Sequence, residues 1–169
     1  MSKNVMIVGV GGQGTLLTSR IIGKTALAAG HDVKLSEVHG MAQRGGSVVT
    51  FVRFGDKVYE PVCEEGTVDV LISFERLEAE RYAHFLKPDG IMIVNDTRID
   101  PMTVVIGAAK YPEGIIERLS DNHKVFVIDG GAEAKKLGFS DIFVAKLWGT
   151  TESAVCEMRR EAGLKPVFR

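Results

Sequence analysis

The apolar run Val5-Met6-Ile7-Val8 leads into Gly9-Val10-Gly11-Gly12-Gln13-Gly14 and then into Thr15-Leu16-Leu17. That order reads as a strand, a glycine turn and a helix. Glycines accept positive φ and let backbone N–H groups come close to a ligand. The helix that follows points its positive end at the same spot, so a phosphate or carboxylate is the natural occupant. A G-x-G-x-x-G turn placed between a strand and a helix at the start of a chain points to an α/β domain built on a parallel sheet.

The 169 residues suit one well-buried domain, and residues 1–169 are read as a single unit. A composition of 45% hydrophobic and 25% charged residues is that of an ordinary globular protein. The net charge of -1 offers nucleic acid and anionic membranes no electrostatic attraction. The N-terminal Met1-Ser2-Lys3-Asn4 runs directly into the first strand, so no signal peptide is expected. No apolar run approaches a membrane span. Cys63 and Cys156 lie far apart and form no C-x-x-C pair, which fits a reducing, cytoplasmic setting. Two cysteines also fall short of the four thiolates that an iron–sulfur cluster ordinarily needs. If the protein takes part in electron transfer, another chain must hold the metal.

Val5–Gly9 is read as strand one and Gln13 to about Ala29 as helix one, with Gly30 at its C-terminal stop. Val33–Ser36 completes a β-α-β unit, expected to be right-handed and parallel. The segment from Glu37 to Gly46 has mixed polarity and three glycines and reads as a loop. Ser47–Phe54 is β-branched and aromatic, Gly55-Asp56 suits a two-residue turn, and Lys57–Glu60 is expected to return antiparallel. Val68–Phe74 reads as a buried parallel strand, Glu75–Leu86 as a helix and Lys87-Pro88-Asp89-Gly90 as a turn. Strand Ile91–Asn95, helix Pro112–Leu119, strand Lys124–Asp129 and a short helix over Ala132–Leu137 follow. The rest is weakly amphipathic, with Ala154, Met158 and Ala162 on one face. The expected fold is a Rossmann-like α/β domain, mostly parallel, with an antiparallel hairpin inserted after the second strand.

Open α/β sheets bind ligands beyond the carboxyl ends of their strands. Here those ends are Gly9–Gly14, Glu37–Gly46, Phe74–Glu78 and Asn95–Arg98. Arg44, between Gln43 and two glycines, suits bidentate contact with a carboxylate or phosphate, its alternative being a solvated loop arginine. Glu37 stands where a dinucleotide-binding domain places its ribose-binding acid. Against that, a loop and hairpin follow it instead of a crossing helix. His39 has neither a neighbouring nucleophile nor metal-ligand spacing, so a loop-fixing role suits it better than that of a general base. Cys63, in Cys63-Glu64-Glu65, should have a raised thiol pKa and is no nucleophile. Glu75 leads from a strand end and is read as able to face the crevice. The site is equipped to bind an anion or a partner loop and poorly equipped for chemistry.

The motif Val8-Gly9-Val10-Gly11-Gly12-Gln13-Gly14, followed by Ser36-Glu37-Val38-His39-Gly40-Met41-Ala42-Gln43-Arg44-Gly45-Gly46-Ser47-Val48, resembles the gamma-type domain of 2-oxoacid:ferredoxin oxidoreductases, most closely that of the indolepyruvate type. Val52-Arg53-Phe54-Gly55, Ser73-Phe74-Glu75 with Leu77-Glu78-Ala79, and Val94-Asn95 agree as well. The resemblance runs from about Asn4 to Gly138. It implies a subunit of an enzyme that decarboxylates a 2-oxoacid on thiamine diphosphate, passes electrons through iron–sulfur clusters to ferredoxin and forms an acyl-CoA. Thiamine and clusters would lie in a larger partner subunit. This chain would be a Rossmann-like piece beside that active site, helping to bind coenzyme A or to close over it, and it would hold no cofactor tightly itself.

Carried over by position, the implied site is Gly11, Gly12, Gln13, Gly14, Met41, Gln43, Arg44 and Gly45, to which the reading of the loops adds Gly9, Glu37 and Gly46. No catalytic or metal-binding residue is expected. Partners implied are the large subunit, ferredoxin through the complex, and a second copy of this chain, with neither nucleic acid nor membrane. From Phe139 to Arg169 the family's pattern of an apolar, Leu- and Gly-rich helix is missing, a divergent or shortened tail. A gamma subunit of a pyruvate or 2-oxoglutarate enzyme, a self-standing nucleotide-binding module and a purely structural subunit remain alternative readings.

Overall fold

A computed structural model describes residues 2–39, 46–130 and 151–161. Strand β1, Lys3–Val10, is buried from Asn4 onward, as befits an apolar run in the middle of a sheet. Helix α1, Thr15–Ala28, follows, then β2, Asp32–His39, and β3, Ser47–Gly55. After these come β4, Val68–Ser73, α2, Arg76–Tyr82, a 3₁₀ turn over Ala83–Phe85, and β5, Leu86–Asn95. The short α3, Met102–Val105, α4, Ile115–Asn122, β6, Lys124–Ile128, and α5, Glu152–Glu161, complete the described elements.

The sheet has the order β2-β3-β1-β4-β5-β6. The pairs β1–β4, β4–β5 and β5–β6 are parallel, and β3 runs antiparallel to both β1 and β2. A mixed, mostly parallel sheet with an antiparallel element after the second strand is therefore what the chain forms. Its pairing differs from expectation in two places. Strand β2 runs in the same direction as β1 but does not touch it, because β3 lies between them with Val52 opposite both Val5 and Leu35. Burial explains the choice: residues Val48 to Val52 of β3 are buried and demand neighbours on either side, whereas β2, with Asp32, Lys34 and Glu37, tolerates an edge.

The second difference is that Lys57–Glu60 forms no strand. Its backbone is met by side chains instead. Asp32 Oδ2 accepts from Val58 N at 2.9 Å, and Arg53 donates to the carbonyls of Glu60 and Val62 at 3.0 and 2.8 Å. The hairpin is thus β2–β3 and not a return after Gly55, and Glu37–His39, expected to open a loop, instead extend β2 in register with Thr50–Val48. Lys87-Pro88-Asp89-Gly90 lies inside β5 as an outward excursion, since Leu86 pairs with Val68 and the next paired residue, Ile91, with Val70. Lys87 is held there by Asp69 at 2.8 Å. Helix α4 begins at Ile115, later than expected, because Gly114 at φ 66° supplies its left-handed entry. The expected helix over Ala132–Leu137 lies outside the described residues, as do most of the tail and the Met158 side chain. Within α5, Val155 is buried and Ala154 half-buried.

Two cores hold the layers. Met6, Val8, Phe51, Leu71, Met92 and Val94 pack on one face of the sheet against Ala79 of α2 and Ile115 and Leu119 of α4. Val5, Ile7 and Val52 pack on the other, with Ile22 of α1, Val33 and Phe54. The result is a three-layer α/β/α arrangement in which α1 alone of these helices covers the β2–β3–β1 side. Its buried residues are Thr15, Ser19, Gly23 and Ala26. Small residues there let the helix sit close to the sheet: a Cβ on Gly23 would come within 3.2 Å of Leu35.

Candidate functional site

At the carboxyl end of β1 the chain turns through Gly11–Gly14. Gly12 and Gly14 hold φ of 100° and 93°, a conformation that other residues adopt only under strain. Gly9 answers to a different need. A Cβ there would stand 2.9 Å from Gln13 Oε1, 3.1 Å from Phe74 Cβ and 3.2 Å from Thr15 Cγ2. Gln13 braces the turn: its Oε1 accepts from Val10 N at 2.7 Å, and its Nε2 donates to Phe74 O at 3.0 Å. The amide, placed by sequence reasoning among the ligand contacts, is spent on tying the ends of β1 and β4 together. Gly11 N donates to Gly46 O at 2.9 Å, so the glycine turn and the start of β3 are fastened to each other.

A cleft of about 450 Å³ opens beside this turn. Gly11, Gly12, Gly14 and Thr15 form its floor, Leu16, Leu17 and Val48 its apolar walls, and Arg20 and Glu37 its charges. Gly14 is the N-cap of α1 and supplies no side chain to the helix end, and the first turn contains no acidic residue. The leading N–H groups of α1 are therefore left for an external acceptor. Arg20, one turn and a little further along, adds a full positive charge. The arrangement suits an anionic group with an apolar attachment. Glu37, on the face of β2 that looks toward α1, suits a hydroxyl or cation at the far side.

Of the residues expected to form the site, Gly11, Gly12, Gly14 and Glu37 line this cleft, while Gly9, Gln13 and Gly46 shape it from behind. Met41, Gln43, Arg44 and Gly45 lie outside the described residues, and so does the His39 side chain. Arg20 was not singled out from the sequence. Its signal was available: it is one of two cations on a first helix with no acid.

Glu75 does not open to the crevice. It is 1% exposed and serves as the N-cap of α2, accepting from Glu78 N at 3.0 Å, Ile99 N at 3.2 Å and the Tyr111 hydroxyl at 2.5 Å. Burial, then the bond to Glu75 and the nearness of its charge, push the Tyr111 phenol well above its usual range. Arg98 stacks over the Tyr111 ring at 4.4 Å. This cluster staples the segment after β5 to α2. Buried Glu78 takes the hydroxyl hydrogen of Ser47, which also lies 3.2 Å from the Tyr82 hydroxyl. Burial raises the Glu78 carboxyl above its usual value, with the Glu75 charge acting the same way; Ser47 and Arg81 oppose it without reversing it. Both acids fasten elements together and neither reaches the cleft. Cys63 is buried, which pushes its thiol up to about 11, as expected of an unreactive cysteine. Among the described residues no three His, Cys, Asp or Glu side chains are grouped to hold a metal ion. With two cysteines in all, the donor set does not fit an iron–sulfur cluster.

Fold and cleft together define an α/β domain with a glycine-floored cleft at the N-terminus of its first helix. The profile of the pyruvate ferredoxin/flavodoxin oxidoreductase family matches residues 4–154, and the chain belongs to that family. It is similar to indolepyruvate oxidoreductase subunit IorB of Archaeoglobus fulgidus, 52% identical over 113 residues that make up 67% of this chain and 56% of the relative. The subunit of the same name from Pyrococcus horikoshii is 50% identical over 109 residues, 64% of this chain and 54% of the relative. The chain thus spans about half the length of the curated relatives it matches. Among solved structures, pyruvate oxidoreductase subunit PORC from Thermotoga maritima superposes with a TM-score of 0.59 at 21% identity, covering 98% of this chain and 86% of that one. That likeness is one of fold. No described helix is long and apolar enough to cross a membrane.

Proposed function

We propose that this chain is a subunit of a 2-oxoacid:ferredoxin oxidoreductase of the indolepyruvate type, and that it supports the oxidative, CoA-dependent decarboxylation of arylpyruvates. The observation that carries this reading is the identity of 50–52% with two relatives bearing the indolepyruvate name. Thiamine diphosphate and the iron–sulfur clusters belong, on this reading, to a larger partner subunit in the cytoplasm, and ferredoxin is met through the complex. The chain's own part is to receive the anionic end of coenzyme A. Its diphosphate suits the free N–H groups of α1 and the Arg20 guanidinium. From the sequence motif alone, Arg44, with Met41, Gln43 and the Gly45-Gly46 pair, is assigned the same duty, contact with a CoA phosphate or with the partner's active site.

The test is turnover by the assembled enzyme under anaerobic conditions. Reduction of ferredoxin should require CoA and should be faster with indolepyruvate than with pyruvate. Arg20→Ala should raise the KM for CoA about tenfold, the worth of one charge-assisted hydrogen bond, while the KM for the 2-oxoacid holds. Faster turnover of pyruvate would contradict the substrate assignment. An unchanged KM for CoA in Arg20→Ala would remove CoA from this cleft.

A further inference from the structure

Helix α1 is turned so that its buried residues are all small, with Ile22 as the large residue that packs on the sheet core, while Leu17, Ile21 and Leu27 are left exposed. Leu17, Ile21 and Leu27 are 56%, 57% and 58% exposed, and at helical spacing Leu17, Ile21 and Ala28 stand opposite the buried stripe. Amphipathic helices of globular proteins normally show the reverse pattern. Charge adds direction to this. Arg20 and Lys24 lie on the exposed side, and α1 has no acidic residue along its whole length. The outward face is also continuous with the cleft, since Leu16, Leu17 and Arg20 belong to both.

We infer that the outer face of α1 is the surface by which this chain docks onto the large subunit, and that the docking surface of that subunit is apolar and rimmed with carboxylates. The inference rests on the proposed function for its partner and goes beyond it in naming the face. A second copy of this chain is a poor occupant. A two-fold contact through α1 would set Arg20 and Lys24 of one copy near the same cations of the other, uncompensated by any acid on the helix. A heterologous partner with acids around an apolar centre satisfies both features. Docking there would also roof the cleft, so that a ligand bound at the α1 N-terminus would lie between the two chains.

The experiment is capture of the large subunit by the tagged full-length chain, anaerobically, with the affinity measured at two salt concentrations. Ile21→Glu and Lys24→Glu alter the outer face without touching the cleft lining, and circular dichroism checks that each variant is folded. Ile21→Glu should weaken binding about 30-fold or more, as expected for a charge placed in an apolar contact. Lys24→Glu should weaken it less and flatten its salt dependence. Met102→Glu, on the exposed tip of α3, should bind like the wild type. Wild-type capture with no loss in Ile21→Glu, or loss in Met102→Glu alone, would overturn the inference and leave the proposed function standing. Failure of the wild-type chain to capture the subunit would overturn both. A wild-type homodimer that Ile21→Glu dissociates would give the face to a second copy and refute the inference.

Discussion

Replacing Gln13 by alanine separates a brace from a ligand contact. The Gln13 amide is the bridge between Val10 N, at 2.7 Å, and Phe74 O, at 3.0 Å. Val10 is buried, so removal of the amide leaves its N–H without that acceptor, at a cost of about 1–3 kcal/mol. Phe74 O still accepts from Asn95 Nδ2 at 3.2 Å, so its share of the loss is smaller, about 0.5–1 kcal/mol. The expected destabilisation is therefore about 1.5–4 kcal/mol. With a urea dependence of about 2 kcal/mol/M, the unfolding midpoint should fall by roughly 0.8–2 M. The assay is equilibrium urea unfolding followed by circular dichroism, with Arg20→Ala as the paired control. Arg20 is exposed and should leave the midpoint within about 0.3 M while weakening the anionic ligand. If Gln13→Ala unfolds at the wild-type midpoint yet binds the ligand poorly, the brace account is refuted and Gln13 is a ligand contact.

Other outcomes follow from the same geometry. Gly9→Ala would force its methyl against Gln13, Phe74 and Thr15, and should lower stability by about 1–3 kcal/mol, measured in the same urea assay. The raised carboxyl of buried Glu78 gives stability a definite pH dependence. The unfolded chain releases this proton first, near 4.5, so the contribution is complete below that pH and is lost as the pH rises toward and through the higher folded value. Glu78→Gln should remove that downward component from a plot of unfolding midpoint against pH. Cys63, buried and with its thiol pushed up to about 11, should resist iodoacetamide at pH 8 in the folded protein and react once urea unfolds it, a difference read by peptide mass spectrometry.

Much of the architecture is legible from local signals. The run Val5–Val8, the glycine turn and the stop at Gly30 place β1 and α1 to within a residue or two, and β4, β5 and β6 follow from their β-branched cores. What local signals do not hold is the order of strands. Ser47–Gly55 looks like the first half of a hairpin whichever neighbour it takes, and only burial on both faces puts it between β2 and β1. Gly55-Asp56 has the chemistry of a tight turn, but Asp32, distant in sequence, and Arg53, near the end of β3, claim the backbone that would have paired. That Gly11, Gly12, Gly14 and Glu37 line one cleft is legible from their places beyond the ends of strands. Gln13 is expected among the ligand contacts, whereas its amide bonds the backbone of Val10 and Phe74; a glutamine in a glycine loop has the same residue type whether its amide faces a ligand or the backbone behind it. Arg20 was passed over because helix periodicity alone does not say which face looks outward, and on α1 the small residues, not the leucines, are buried.

Anaerobic isolation of the tagged chain from its native cells, with the co-eluting proteins identified and quantified by mass spectrometry, tests the central claim most directly. The account predicts a larger subunit in stoichiometric amount, carrying thiamine diphosphate and iron–sulfur clusters. A chain that emerges alone and binds a nucleotide tightly by itself would contradict it, and would make the cleft beside Gly12 and Arg20 the site of a self-standing nucleotide-binding protein.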